Sequence, residues 1–314
     1  MSPDLDVLVL GDVNPDLVLR GEHVEPAFGQ AERLLDDATL TVGGSGAILA
    51  CGAAKLGLRV GICGVVGDDL FGAYLRDELG RRGVDVRGLI TDPERPTGLT
   101  VVLSRPDDRG MLTAPGAIGA LSADAVDPAL LASARHVHVS SYFLQEALRP
   151  DLPALFGRVH EAGGTTSIDP NWDPSDAWDG ALLDALSETD IFLPNAIEAT
   201  RIARTSDLDA AVRTLASHAG LVVVKDGRRG AIAGGSGAMV RSPGIATEVV
   251  DTTGAGDAFD AGFLAAWLGE ASLERALAIA NVCGALSTRV AGGVDGQVTM
   301  PEALGALPHA AERA

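Results

Sequence analysis

Short apolar runs recur along the chain, and each is closed by a polar turn and followed by a stretch with helical spacing. Leu5 to Leu10 ends in Gly11-Asp12, Val60 to Val66 in Gly67-Asp68-Asp69, Thr165 to Ile168 in Asp169-Pro170-Asn171, and Leu221 to Lys225 in Asp226-Gly227. His136 to Ser140 and Ile191 to Leu193 keep the same rhythm. Runs this short and this apolar suit strands buried on both faces, and strands separated by helices pair in parallel beneath those helices. The chain is therefore expected to be an α/β protein with a mostly parallel central sheet and helices on both faces. Helices are expected over Ala47 to Leu56, from Asp69 to about Arg82, after Ser122, and near Leu152 to Ala162. Others are expected near Ala181 to Ser187, and over Ala196 to Ala203, Leu208 to His218 and Leu273 to Val290.

Four strand-like runs fall outside this rhythm: Leu17 to Leu19, Ala38 to Val42, Thr97 to Ser104 and Met111 to Thr113. The last two flank the turn Arg105-Pro106-Asp107-Asp108-Arg109-Gly110 and read as a hairpin, and all four together predict a small separate sheet. Ala231 to Val240 reads as a second, glycine-rich hairpin.

In an open parallel sheet ligands sit beyond the carboxyl ends of the strands. The polar loops Asp12 to Asp16, Asp169 to Asn171, Asn195 to Glu198 and Lys225 to Gly230 all follow strands, so they are expected to line one cleft. The stretch Val250-Asp251-Thr252-Thr253-Gly254-Ala255-Gly256-Asp257-Ala258-Phe259 joins a turn directly to an apolar helix starting at about Gly254. Thr252 and Thr253 are suited to cap that helix, and Gly254 and Gly256 let a ligand approach the backbone. The unpaired N–H groups and positive dipole end of a first helical turn receive phosphate. Asp257 is either a carboxylate that takes a proton from an attacking hydroxyl or simply an acidic residue favoured in a first turn.

The net charge of −19 argues against broad contact with nucleic acid or an anionic membrane. No run approaches the roughly 18 uninterrupted apolar residues of a spanning helix. Met1-Ser2-Pro3-Asp4 lacks the basic start of a signal peptide. Cys51, Cys63 and Cys283 are odd in number and without metal spacing, which predicts buried thiols in a reducing compartment and a cytoplasmic location. His136 and His138 share a strand face with no third ligand evident, so buried, hydrogen-bonded histidines are expected there rather than a metal site.

Asp-Thr-Thr-Gly-Ala-Gly-Asp-Ala-Phe resembles the C-terminal signature of the ribokinase-like carbohydrate kinases, the PfkB family, and the resemblance extends over nearly the whole chain. It implies the three-layer ribokinase-like fold as a single kinase domain over residues 1–314, with a β-sheet lid formed by about 14–42 and 97–113. The lid is often the dimer contact in that family, which makes a homodimer through it an expectation here. The implied activity is ATP-dependent phosphorylation of a hydroxyl of a small sugar, with Asp257 as general base and the backbone of Gly254, Ala255, Gly256 and Asp257 as anion hole. By the same resemblance Asn14, Asp16, Gly43, Gly44 and Asn171 hold the substrate. Asn195, Lys225, Gly227, Gly230 and Asn281 hold the nucleotide, and Glu198 organises hydrated Mg²⁺. A potassium ion is the further implication, held by Asp251 and Thr253 on one side and Thr288, Ala291 and Gly293 on the other.

Two positions depart from the family pattern. Ile48 stands where many members have a substrate-binding asparagine, and Asp173 stands where an arginine is expected, which argues against a substrate that already carries phosphate or carboxylate. From the residues alone, Asn195 and Glu198 read equally as a helix-capping pair. A nucleoside kinase of the same fold is the alternative, with Tyr142, Phe143 and Trp172 free to stack on a base. A non-catalytic sugar- or nucleotide-binding protein on this scaffold is a third possibility. An oxidoreductase is disfavoured because no G-x-G-x-x-G follows the first strand, and no P-loop sequence occurs.

Overall fold

The computed structural model describes residues 4–307 except 30, 106, 107 and 180. The chain begins with β1 (Leu5–Leu10), β2 (Asn14–Arg20) and β3 (Asp37–Gly43), then α1 (Ser45–Lys55), β4 (Val60–Gly67), α2 (Leu70–Arg81) and β5 (Val84–Asp92). A pair of strands, β6 (Leu99–Arg105) and β7 (Asp108–Ala114), follows. Alternation resumes with α3 (Pro128–Ala132), β8 (Ala134–Val139), α4 (Leu152–Glu161), β9 (Thr165–Ile168), α5 (Leu182–Leu186) and β10 (Ile191–Phe192). After α6 (Ala196–Ile202), α7 (Leu208–Leu215) and β11 (Leu221–Lys225) come the short strands β12 (Ala231–Gly234) and β13 (Val240–Ser242). Three helices close the chain: α8 (Ala255–Leu268), α9 (Leu273–Ser287) and α10 (Met300–Gly305).

The large sheet has nine strands in the order β13-β12-β11-β10-β9-β8-β1-β4-β5. It is parallel from β11 to β5, and β12 and β13 continue it antiparallel as the expected hairpin. Because side chains alternate across a strand, β1 feeds two cores. Val7 and Val9 pack with α1, α2, α8, α9 and α10, whereas Leu8 and Leu10 pack with α3, α4, α5, α6 and α7. The sheet is thereby sandwiched between two helix layers, as the apolar runs predict. From β1 the chain first adds strands on one side, β4 and β5, and then on the other, β8 through β11. The loops beyond the carboxyl ends of β1 and β8 diverge at that switch and leave a crevice.

A second sheet, ordered β3-β2-β6-β7, stands over the crevice. β2 pairs antiparallel with β3 and parallel with β6, and β6 pairs antiparallel with β7. The four runs outside the βα rhythm thus join in one small sheet, and the central turn residues 106 and 107 of its hairpin lie outside the described residues. Two elements escape the sequence reading. β5 mixes apolar with charged residues because it is a half-exposed edge, and α10 is only six residues long.

His136 and His138 are fully buried, with His136 bonded to the hydroxyls of Thr165 and Ser167 and His138 to that of Ser167. Burial depresses both, to about 3 and about 4, so they are neutral packing groups. All three cysteines are free and buried. Among the described residues no helix is long and apolar enough to cross a membrane.

Candidate active site

The helix start at α8 differs from the one expected. Neither threonine caps it: the N-cap is Gly254, in the left-handed conformation at φ 72°, with no side-chain cap. Asp251 explains this, since its Oδ1 accepts from both the N–H and the hydroxyl of Thr253, which removes that side chain from the helix end. Ala258 N–H closes on Gly254 O at 2.8 Å. The N–H groups of Gly254, Gly256 and Asp257 have no protein partner among the described residues. The first turn is thus an open donor set at the positive end of a 14-residue helix.

Gly254 is held in place by the loop after α9. A Cβ there would lie 2.8 Å from Gly293 Cα and O and 2.9 Å from Ile48 Cγ2. Asp251 joins the same loop, its Oδ2 accepting from Gly292 N at 2.9 Å, and the Thr288 carbonyl accepts from the N–H of Val250 and Asp251. The structure therefore assembles Asp251, Thr253, Thr288 and Gly293 beside the helix start, with Ala291 in the connecting loop.

Two cavities meet at this turn. The larger, about 700 Å³, lies in the crevice beneath the small sheet. Its walls include Asp12, Asn14, Asp16, Gly44, Asn171 and Asp257, with Thr100 and Thr113 as roof. The smaller, about 290 Å³, is lined by Gly227, Arg228, Gly230, Thr252 and Asn281. Lys225, Gly227, Thr252 and Gly256 line both. The loops after β1, β9, β10 and β11 converge here as their polar residues predict.

In the larger cavity Asn14 Nδ2 donates to Asp16 Oδ1 at 3.2 Å and to Thr100 Oγ1 at 3.3 Å, tying the crevice to its roof. Gly43 does not line it. A Cβ on Gly43 would overlap the Asp16 carboxyl at 1.9 Å, so this glycine makes room for that side chain. Asn171 lines the cavity but spends its amide on Ser45 Oγ at 2.8 Å and Ser141 Oγ at 3.1 Å. Asp12, expected in the cleft loop but assigned no role there, accepts from the N–H groups of Ser45 and Gly46 at the start of α1. Asn195 and Glu198 form the capping box of α6, and both face the cavity. Burial, then the charge of Asp169, pushes Glu198 up to about 7. Asp257 is 8% exposed. Burial and then Asp169 push it up to about 8, against the lowering influence of Lys225.

Lys225 was expected at the nucleotide. It lines the smaller cavity as well as the larger, and its Nζ lies 2.9 Å from Asp169 Oδ2 and 2.8 Å from Asp260 Oδ2, on the wall shared by the two. Asp260 was not picked out, although a single acid within the apolar run of α8, three residues after Asp257, was a visible signal. Asn281 lines the smaller cavity and donates to Ser242 O and Pro243 O. Gly230, at φ 98°, lies under the loop after β13, where a Cβ would meet Ser242 O at 2.1 Å. Arg229 is taken up by Asp226.

One expectation is corrected. Tyr142 and Phe143 are buried in the core, edge-on to one another, because β8 ends inside the protein; only Trp172, 49% exposed, faces the cavity. Asp173 does not line the larger cavity but lines the chamber beside it, and its carboxyl, held below its ordinary range by the N–H groups of Trp178 and Ser175 and the Ser175 hydroxyl, keeps its negative charge. Ile48 lines the larger cavity and packs against the glycine loop next to Gly254 and Gly293.

An open helix start shared by a polyol-sized acid-lined cavity and a narrow second cavity, at the switch point of a parallel sheet, defines a phosphotransferase class of site. The chain belongs to the pfkB family of carbohydrate kinases, whose profile matches residues 4–300. It is similar to an ATP-dependent ribose-1-phosphate kinase of Halopiger xanaduensis, 34% identical over 318 residues that span 98% of each chain. It is also similar to a fructokinase of Salmonella typhimurium, 33% identical over 92% of this chain and 94% of that one. Among solved structures, Arabidopsis thaliana ribokinase with ribose and ATP superposes with a TM-score of 0.82 at 25% identity, covering 97% of this chain and 98% of that one. An E. coli protein designated ribokinase II, solved with ATP and Mg²⁺, gives a TM-score of 0.84 at 27% identity and the same coverage.

Proposed function

We propose that the protein transfers the γ-phosphoryl group of ATP to a hydroxyl of a small sugar bound in the larger cavity, with Asp257 as general base. The observation that carries this reading is the position of Asp257, nearly buried at the N-terminal turn of α8, whose free N–H groups open where the two cavities meet. Asn14 and Asp16 hold the sugar hydroxyls, with Gly44 and Asn171 shaping the wall. The loop of Gly227 to Gly230 and Asn281 hold the nucleotide. The fit of a polyphosphate rests on side-chain-free glycines and unpaired donors at the turn, and the fit of Mg²⁺ on the oxygen donors Glu198 and Asn195. When bound, MgATP supplies the phosphoryl group and neutralises charge on its oxygens. Asp257 accepts the proton of the acceptor hydroxyl as its oxygen bonds to the γ-phosphorus and ADP leaves with the bridging oxygen. The N–H groups of Gly254, Gly256 and Asp257 receive the charge that develops on the phosphoryl oxygens. The small sheet closes over the sugar and excludes water, and it is the surface through which a homodimer would form. A potassium ion bound by Asp251 and the loop of Thr288 to Gly293 would keep the Gly254 turn in its receiving shape. The location is cytoplasmic.

A sugar that already carries a phosphate is a second reading with an observation of its own. Beside the larger cavity, sharing Thr113, Ile118, Leu144 and Pro174 with it, lies a chamber of about 630 Å³ whose walls include Arg95 and Arg149. Arg149 has no carboxylate partner among the described residues and rests 5.8 Å over the Tyr142 ring. Asp173 and Glu146 share that wall, so an anion there would rest on the two arginines against two carboxylates; the Halopiger relative is named for a phosphorylated pentose. The nucleoside reading loses support with Tyr142 and Phe143 buried. ADP release measured across free sugars, sugar phosphates and nucleosides, with the product mass determined, tests all three. No release with any sugar or sugar phosphate would sink the proposal.

A further inference from the structure

Asp260 is the one buried carboxyl of the site with no cap, turn or cavity to serve. It is fully buried within α8, one turn beyond Asp257, and its Oδ2 meets Lys225 Nζ while its Oδ1 has no hydrogen-bond partner. Asp169 alone would already pair the ammonium. Burial pushes the Asp260 carboxyl well above the usual carboxylate range, so it meets the ammonium as an oxygen acceptor, and a buried polar group of this kind costs stability against an apolar side chain of the same size. Folding therefore does not explain Asp260, but the place of its partner does. Lys225 is the single cationic side chain among the described residues lining the larger cavity, and it lies on the wall shared with the smaller one. Its Cδ and Nζ are 3.8 Å from where a Cβ on Gly256 would be, directly beside the open turn. Asp169 pulls the ammonium toward the end of β9, and Asp260 pulls it toward α8.

We propose that Asp260 is a positioning residue: by opposing Asp169 it fixes the Lys225 ammonium at the junction of the two cavities, where a phosphoryl group in transfer meets a cation of set position. The inference rests on the phosphotransferase reading of the Asp257 site. Losing Asp260 leaves Lys225 to collapse onto Asp169, which weakens stabilisation of the transferring group and leaves sugar binding unaffected. Steady-state kinetics with ATP and a turned-over sugar on Asp260→Leu, Lys225→Met and the double variant test it. The double variant replaces both partners by apolar side chains of similar size and so leaves neither of them unpaired. Asp260→Leu is expected to lower kcat by about 10- to 100-fold with the sugar KM within about twofold, and Lys225→Met by about 100-fold, the scale of losing one charge-stabilising donor. The double variant is expected to be no worse than Lys225→Met, because Asp260 acts through the lysine. Losses that multiply in the double variant, or a kcat within about twofold of wild type in Asp260→Leu, overturn the proposal. A merely structural carboxyl would lower Tm and leave the kcat of the folded protein unchanged, which overturns it as well. Should Asp260→Leu fail to fold, Asp260→Val, which also removes the oxygen that meets the ammonium, takes its place in the same cycle with the same expected loss. Wild-type turnover in Asp257→Asn would instead remove the underlying reading, so the two failures are distinguishable.

Discussion

Replacing Gly256 by alanine should make the protein slightly more stable and much less active. Gly256 is the second residue of α8, and its φ is not left-handed. An added Cβ meets nothing closer than Lys225 Cδ and Nζ at 3.8 Å, an ordinary contact. At such a site Gly→Ala stabilises by about 0.4–1 kcal/mol through the unfolded chain, which is a rise of roughly 1–3 °C in Tm for a chain of this size. The same methyl projects where both cavities open, beside the N–H groups that receive phosphate. Displacing a reacting group there by about 1 Å costs on the order of 10²-fold in rate. Gly254→Ala is the contrasting perturbation. Its left-handed backbone alone penalises a side chain by roughly 1–2 kcal/mol. The new atom would also fall within 2.9 Å of Ile48 and the Gly293 backbone, so stability and activity should drop together. Calorimetric melting without ligands, paired with ADP release at saturating ATP and sugar, reads both effects. A Gly256→Ala protein with wild-type kcat, or one that melts several degrees lower, would refute the reasoning.

Stability of the ligand-free protein should fall as pH rises from 6.5 to 8. Asp257, pushed up to about 8, and Glu198, to about 7, hold protons in the folded state that the unfolded chain gives up near pH 4. Their stabilising contribution is complete below the unfolded values and lost as pH climbs through the folded ones, at about 1.4 kcal/mol per pH unit for each retained proton. His136 and His138, neutral in the fold, oppose this weakly at the low end, because the unfolded imidazoles are still half protonated at 6.5 and lose that proton over the next pH unit, while Asp6, held near 2 by Arg59, titrates far below the window. Urea unfolding at the two pH values checks it, and a rise in stability would contradict it. Replacing K⁺ with a large organic cation at fixed Mg²⁺ and ionic strength should lower kcat several-fold, with K⁺ restoring it; unchanged kinetics after thorough desalting would remove the potassium site. Amide exchange in 17–42 and 97–113 should slow when sugar binds, and exchange indifferent to sugar in both stretches would remove the closing role of the small sheet.

The parallel sheet was legible because its strands are short, apolar and spaced by helices, and the cleft because each polar loop follows a strand. The helix start at Gly254 was legible from its two glycines, but its missing cap was not, since that depends on Asp251 capturing Thr253. What stayed hidden is pairing at long range. Nothing in the order of residues tells that Lys225 reaches Asp169, 56 positions away, and Asp260, 35 away, or that Asn171 spends its amide on Ser45. Aromatic residues after β8 read as ligand platforms, whereas Tyr142 and Phe143 fill the core beside α4 and α5. The edge strand β5 was lost for a simpler reason, because half-exposure dilutes its apolar pattern with charge.

The pH dependence of kcat/KM for the sugar, measured on wild type and Asp257→Asn together with nucleotide affinity, tests the central claim most directly. With Asp257 pushed up to about 8 in the free protein, wild-type kcat/KM should rise about tenfold per pH unit and level off above that value. Asp257→Asn should lose roughly 10²–10⁴-fold in kcat, keep its affinity for ATP, and lose the acid limb. A folded variant that keeps more than half of wild-type turnover, or the same acid limb, would show that another group takes the proton.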